Sequence, residues 1–442
     1  MTALSRIVAA GLVALPLLAL PARAEIDIQA VTTPGGIDAW LVEESAIPFV
    51  AIEVVFAGGA ALETPETAGA VALMSTLLSE GSGDLDAQAM AEATERLAAG
   101  ISFDSGRDSV RLSIRALSEN RDQVIDLARL ALMEPRFDAD TFERERARTL
   151  SGLQRDARNP NAIAARRFAE TAFQDHPYAL PVAGTPESVA SLGIDDLRDA
   201  HRTAIARDRV HVGVAGDISA EELAPLLDRL LGDLPAEGGA LPGRAEFAAP
   251  PGVQAIDFPG PQSLIFFGHA GIPRDDPDFL TAFVINDLFG SGRFGTRLMR
   301  ELRETRGLTY GVGTGLSAMA LGEAFQGRVS TDNANAGEVI ELLRAEWEWL
   351  AGGGITQDDL EAAQTFLTGS YPLRFDGNAS IAEILASMQF QGFDIDYVNV
   401  RNDRVMALTL EDIHRVAARL AQPEALHFVV VGQPQGLEDA GL

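Results

Sequence analysis

The feature that most constrains how this chain can fold is that it repeats itself. Asp195-Asp-Leu-Arg-Asp-Ala200 leads into the apolar run Arg209-Val-His-Val-Gly-Val-Ala-Gly-Asp217, and 216 positions later Glu411-Asp-Ile-His-Arg-Val416 leads into Ala425-Leu-His-Phe-Val-Val-Val-Gly-Gln433. Asp196 falls on Asp412, His211 on His427 and Gly216 on Gly432, and near the start of each copy an apolar strand recurs, Pro48 to Gly59 against Pro261 to Gly271. A repeat of this length describes two copies of one domain-sized unit rather than an array of short modules. Between the copies Pro and Gly concentrate and periodicity fails, which places a linker at 237–252, an N-terminal half at 25–236 and a C-terminal half at 253–442.

Within the first half, apolar runs alternate with amphipathic stretches. Strands are expected at Ile37 to Val42, Phe49 to Phe56 and Val110 to Ala116. Helices are expected at Gly69 to Glu80, at Ala87 to Ala99 with Met90, Ala93 and Leu97 inward, at Glu119 to Met133, and from Thr141 past Gln154. Such a mixture gives an α+β class: two homologous layered halves, each a mixed sheet with helices packed on one face, joined by a linker into a clam-like shell.

Residues Met1 to Ala24 read as a cleaved export signal, with Arg6 as the basic region, an apolar stretch from Ile7 to Leu20, and Ala22-Arg-Ala24 as a small-x-small cleavage site. The apolar stretch is short and broken by Pro16, so no membrane association is expected once it is removed, and a periplasmic location follows. The chain has no cysteine, hence no disulfide, whatever the redox state of that compartment. It carries 64 Asp plus Glu against 35 basic residues, all arginine, for a formal net charge of -29. That balance argues against a nucleic-acid partner, which calls for basic surface; the acidity serves solubility or lines a chamber that draws in basic peptides.

The most informative stretch runs from Gly290 to Leu316. It opens on Gly290, Gly292 and Gly295, continues as a short amphipathic helix with Leu298 and Leu302 on one face, and stops at Arg306-Gly307. A strand is expected next, with Tyr310, Val312, Thr314 and Leu316 on one face and Thr309, Gly311, Gly313 and Gly315 on the other, a bare surface that another backbone can approach. Arg303 and Tyr310 thus flank a chain reversal. The three glycines follow a helix and lack a P-loop lysine, so they read as a loop at a cleft rim rather than a phosphate cradle.

This helix, the R-G-L-x-Y run and the small-residue strand resemble the C-terminal half of the pitrilysin/insulinase-like zinc peptidase family. The segments Pro261 to Asp278 and His176 to Ser188 are similar to other parts of the same family, so the resemblance covers nearly the whole mature chain. It implies that Arg303 and Tyr310 match an Arg and a Tyr that reach across a closed chamber to substrate bound at zinc. It also shows what is missing. The helix that carries H-x-x-E-H in active members reads Ala72-Leu-Met-Ser-Thr76 here, so Ala72 and Thr76 stand for the histidines and Ser75 for the base, and the third ligand, a Glu, falls near Gly152. No pair among the six histidines has helical metal spacing; His211 and His427 read as structural, His269 as an ordinary strand residue and His176 as a loop residue.

The resemblance therefore implies a zinc-less subunit, with no cofactor of its own, that pairs with a homologous H-x-x-E-H subunit holding the zinc. Arg303 and Tyr310 would act in trans on a peptide substrate, and Gly290, Gly292 and Gly295 would form a substrate loop, shorter than the one in the zinc-less subunit of mitochondrial processing peptidase. The alternative is a non-enzymatic structural or peptide-binding module of the same fold, similar to the core subunits of respiratory complexes.

Overall fold

In the computed structural model, residues 26–437 are described; the proposed signal segment lies outside them. The strands, in chain order, are β1 (Gln29–Thr32), β2 (Asp38–Glu43), β3 (Phe49–Ala57), the two-residue hairpin β4 (Gly81–Ser82) and β5 (Leu85–Asp86), then β6 (Gly100–Ser105), β7 (Ser109–Leu117) and β8 (Val210–Gly216). The second half supplies β9 (Gly252–Asp257), β10 (Gln262–Ala270), β11 (Val312–Met319), β12 (Gly322–Asp332) and β13 (His427–Gly432). The expected strands and helices of the first half all form within a few residues of their sequence bounds, and β6, not among the expected strands, adds an edge strand.

The first sheet has the order β1-β2-β8-β3-β7-β6 and the second β11-β12-β10-β13-β9. Setting aside β1, the two orders are the same: β2, β8, β3, β7, β6 correspond to β9, β13, β10, β12, β11. In each sheet the pair β2/β8 or β13/β9 is parallel and the remaining neighbours are antiparallel. The repeat read from sequence is thus a repeat of topology.

The central strands alternate between two cores. In β3, Val50, Ile52, Val54 and Phe56 face the half's own helices, whereas Ala51 joins a second cluster on the opposite side with Ala215 and Ala382. That second face is covered by one helix from the other half. Asn378–Phe390, from the C-terminal half, lies on β8 and β3, and reciprocally Pro160–Phe173, from the N-terminal half, lies on β13 and β10 through Ala164, Phe168 and Ala172. The first of these contacts depends on small residues: a Cβ on Gly213 would lie 2.2 Å from the Ala382 carbonyl oxygen and 2.5 Å from the Ala386 nitrogen. The exchange of helices joins the halves over broad packed faces.

Residues 232–251 hold neither helix nor strand, yet they are bonded along their length: Gly239 donates to the Thr203 carbonyl at 2.9 Å, Ala245 to Leu321 at 2.6 Å and Ala248 to Ala172 at 2.8 Å. Nearby, the Tyr178 hydroxyl accepts from the Leu321 amide at 2.8 Å and donates to Asp108, tying the β6–β7 turn of one half to the β11–β12 turn of the other.

The core of the second half centres on Trp347, fully buried among Phe267, Phe289 and Phe325. Its indole N–H donates to Nε2 of His269 at 2.9 Å, so the tautomer is fixed with Nδ1–H donating to the Ala270 carbonyl at 2.8 Å. Burial pushes the His269 imidazole down to about 4. Burial keeps it neutral in the fold while the unfolded side chain protonates near 6.5, so its contribution to stability falls as pH is lowered from about 6.5 to 4 and levels off below. Denaturant titrations across that window should show this loss, and in His269→Gln, which keeps an acceptor for the indole, the slope should flatten by up to about one proton.

Candidate functional site

The stretch from Gly290 to Leu316 winds differently from its sequence expectation. After one α-helical step at Arg297 and Leu298, residues Met299–Thr305 form a π-helix. The wider winding keeps Leu298, Met299 and Leu302 in the core and leaves Arg303 half-buried. Such segments are rare and concentrate at functional sites. Arg297 anchors it through Glu346, at 2.6 and 3.0 Å. The segment ends where the sequence placed its stop, with Gly307 in the left-handed region at φ 65.

Tyr310 does not enter the strand. β11 starts at Val312 because threonine hydroxyls take over the backbone groups a longer ladder would use: Thr309 Oγ1 bonds to the Ser330 carbonyl at 2.7 Å, and Thr331 Oγ1 donates to the Leu308 carbonyl at 2.7 Å. Tyr310 is turned outward in a bend, 85% exposed, with no hydrogen-bond or ring partner among the described residues. Arg303 is not held against it; its guanidinium lies 4.6 Å over the ring of Phe294, itself 69% exposed.

Gly311 and Gly292, close in sequence to Tyr310 and Phe294, line an open groove of ≈ 940 Å³ on the inner face of the second sheet, where Pro160–Phe173 covers β13 and β10 but leaves β11 and β12 bare. Its floor is Gly313, Gly315 and Ser317 of β11 beside Gln326, Arg328 and Ser330 of β12, and its walls include Asn159, Asn161, Ser291 and Gly292. Tyr310 adjoins Gly311 at one border, and Phe294, carrying Arg303, follows Gly292 at the other. A Cβ on Gly315 would meet nothing within 4 Å, so the glycine face is open space. The three loop glycines play different parts. Gly290 is buried, where a Cβ would strike Thr314 Oγ1 at 2.4 Å; Gly292 lines the groove at φ 83; Gly295 turns the chain at φ 84 outside it.

Phe294 and Arg328 escaped the sequence reading. The Arg328 side chain is exposed, with no ion pair or hydrogen bond among the described residues. Its signal was the alternation Gln326, Arg328, Ser330, polar at every second position of an otherwise buried strand.

On the other half, Ala70–Leu77 packs beside Ala139–Asp156, so Ala72, Ser75, Thr76 and Gly152 sit on two adjoining helices. Ala72 offers a methyl, Thr76 an exposed hydroxyl that turns back to the Ala72 carbonyl at 3.0 Å, and Gly152 a hydrogen, next to space where the nearest atom to a Cβ would be Arg155 Nη2 at 3.7 Å. Ser75 is buried and its hydroxyl has no partner. This donor set does not fit zinc, which takes imidazole, thiolate and carboxylate. Among the described residues, no group of three His, Cys, Asp or Glu is placed to hold a metal ion.

The histidines are all packed or bonded elsewhere: His176 Nδ1 accepts from the Tyr178 amide at 3.1 Å, His201 bonds to the Leu132 carbonyl, His211 edges onto Phe390, His414 bonds to the Ile355 carbonyl and His427 to that of Pro250.

Residues 40–186 match the family model of insulinase, peptidase family M16, and residues 191–367 match that of the peptidase M16 inactive domain. The chain belongs to peptidase family M16. Among solved structures it is similar to an M16 inactive domain from Pseudomonas fluorescens, at 28% identity and a TM-score of 0.86, covering 92% of this chain and 98% of that one. A protease from Helicobacter pylori shares the fold at a TM-score of 0.83 and 17% identity, over 92% and 99%. By sequence, the chain is 22% identical over 390 residues to the Helicobacter pylori protein described as non-peptidase homolog YmxG, spanning 88% of this chain and 90% of that protein. It is 22% identical over 425 residues to the probable mitochondrial-processing peptidase subunit beta of Schizosaccharomyces pombe, spanning 89% of each. The matched residues 40–186 contain no H-x-x-E-H run. Among the described residues, no helix is long and apolar enough to cross a membrane.

Proposed function

We propose that this chain is a non-catalytic M16 subunit that holds a peptide for a separate, homologous H-x-x-E-H subunit, in the periplasm. The observation that carries the reading is Tyr310. A tyrosine 85% exposed, bonded to nothing and excluded from its neighbouring strand, contributes little to stability, so its place beside the groove points to a ligand. Arg303 and the groove supply the rest.

An extended peptide would lie over the glycine face of β11, where no side chain keeps its backbone away, with Arg328 and Gln326 offering donors to its carbonyls. The zinc chemistry would be the partner's. From this chain, the Tyr310 phenol would donate to the scissile carbonyl oxygen as charge develops there, and Arg303, freed from Phe294, would hold a peptide carbonyl. Export rests on the sequence of residues 1–24, with Arg6 before the apolar stretch and Ala22-Arg-Ala24 after it.

The experiment is co-expression with an H-x-x-E-H homologue, followed by size exclusion and a peptide cleavage assay. The chain alone should elute without zinc by elemental analysis and cleave nothing, and the pair should co-elute and cleave. One tightly held zinc per isolated chain, or cleavage by it, would overturn the reading. Peptide binding with no effect on any partner's cleavage would favour the peptide-binding module instead.

A further inference from the structure

A second cavity, ≈ 480 Å³, lies in the C-terminal half between the helices Phe279–Gly290, Asn378–Phe390 and Tyr397–Met406 and the turn Tyr371–Phe375. Its walls are ring faces: Phe279, Phe283, Tyr371, Phe375, Phe393 and Tyr397. Into this apolar space come three guanidinium groups, from Arg274, Arg374 and Arg401. Arg401 is 6% exposed and stacks 4.3 Å over Tyr371; its Nη1 donates to the Leu367 carbonyl at 3.2 Å and to Asn402 Oδ1 at 3.0 Å. Arg274 stacks 5.0 Å over Phe279 and donates to the Ala318 carbonyl at 3.1 Å.

None of the three has a carboxylate within ion-pair distance among the described residues. That is unusual in a chain with 64 acidic residues and 35 basic ones, where arginine after arginine on the surface finds an Asp or Glu. The one carboxylate on the cavity wall, Glu383, pairs with none of them. Burial depresses the pKa of Arg274 and of Arg401, the latter further through like charge from Arg374. Positive charge held in a ring-lined pocket with no carboxylate in ion-pair contact is costly, and a ligand that brings one recovers part of that cost. The volume lies in the range of small-molecule sites.

We propose that this cavity binds a small organic acid with an apolar body, the body lying among the rings and its carboxylate accepting from Arg401, Arg274 and Arg374. The chemistry is shared by medium-chain fatty acids and aryl-alkyl acids. The site is independent of the peptide groove and needs no partner subunit.

The test is isothermal titration calorimetry on the full chain with decanoate, 4-phenylbutyrate and, as the uncharged comparison, decanol. At least one acid should bind at one per chain, at least about tenfold tighter than decanol, since charge-assisted bonds to guanidinium are the added term. Arg374→Gln, at an exposed position, and Arg401→Met should each weaken the acid about tenfold or more and leave decanol unchanged, with folding checked by circular dichroism. Leu280→Trp, which fills the cavity, should abolish binding of the acid. The tighter of the two acids names the body the rings prefer. The proposal is overturned if neither acid binds saturably, if decanol binds as well as decanoate, or if Leu280→Trp binds the acid as the wild type does. Should Arg401→Met fail to fold, Arg374→Gln and the decanol comparison decide alone.

Discussion

Tyr310→Phe should lower peptide turnover by about a hundredfold in the assembled pair while leaving assembly and stability unchanged. Loss of one donor to a developing oxyanion typically costs on the order of a hundredfold to a thousandfold in rate. The phenol of Tyr310 has no partner among the described residues to lose, so nothing structural offsets or mimics that effect. Arg303→Ala should weaken substrate binding as well as turnover, because a guanidinium holding a peptide carbonyl acts before the transition state and in it. Its loss from Phe294 removes only an exposed stacking contact. Arg300 is the control: it is exposed, bonds to the Gly295 carbonyl at 3.1 Å, and should tolerate Ala with little change. Steady-state cleavage kinetics with size exclusion decide the matter. Wild-type cleavage by both variants in an intact complex would remove Arg303 and Tyr310 from the reaction.

Gly213→Ala should destabilise the chain by about 3 kcal/mol, at the upper end of what one extra methyl costs in a packed core. The added Cβ would lie 2.2 Å from the Ala382 carbonyl oxygen and 2.5 Å from the Ala386 nitrogen. Both are backbone atoms of a helix, which no rotamer change can move. The helix Asn378–Phe390 must lift from β8, and with it the contact that joins the halves, including the bonds from Arg111 to Ser387 at 3.1 and 3.2 Å and from Gln389 to the Val212 carbonyl. Gly315→Ala is the comparison, since its Cβ would enter the open groove; its stability should stay within about 0.5 kcal/mol of wild type. Chemical denaturation of the three proteins measures both values. A neutral Gly213→Ala would mean that the helix Asn378–Phe390 does not pack this closely on β8.

Much of this arrangement is legible in the sequence. The spacing of Asp196 and Asp412, His211 and His427, Gly216 and Gly432 recurs as one sheet order in both halves, because local pattern specifies strand, helix and connection length and these leave few topologies open. That the chain has no H-x-x-E-H run is likewise plain from the sequence, and the side chains of Ala72, Ser75, Thr76 and Gly152 are not zinc ligands. Gly307 as a stop also follows from local chemistry, whereas His269, an ordinary strand residue by sequence, is fully buried in the fold.

Other features are decided only by tertiary contact. The inner faces of β3 and β8, with Ala51, Gly213 and Ala215, signal that something packs close, but nothing local says that the occupant is a helix from the far half. The same holds for Tyr310, whose β-favouring neighbourhood reads as strand until Thr309 and Thr331, brought together by pairing of distant segments, claim the backbone groups and turn the phenol outward. The π-helical winding at Arg303 and the meeting of Arg274, Arg374 and Arg401 in one cavity belong to this class too. A sequence pattern fixes which face of an element is apolar; which surface covers that face, and which charges meet there, depends on contacts between residues far apart in the chain.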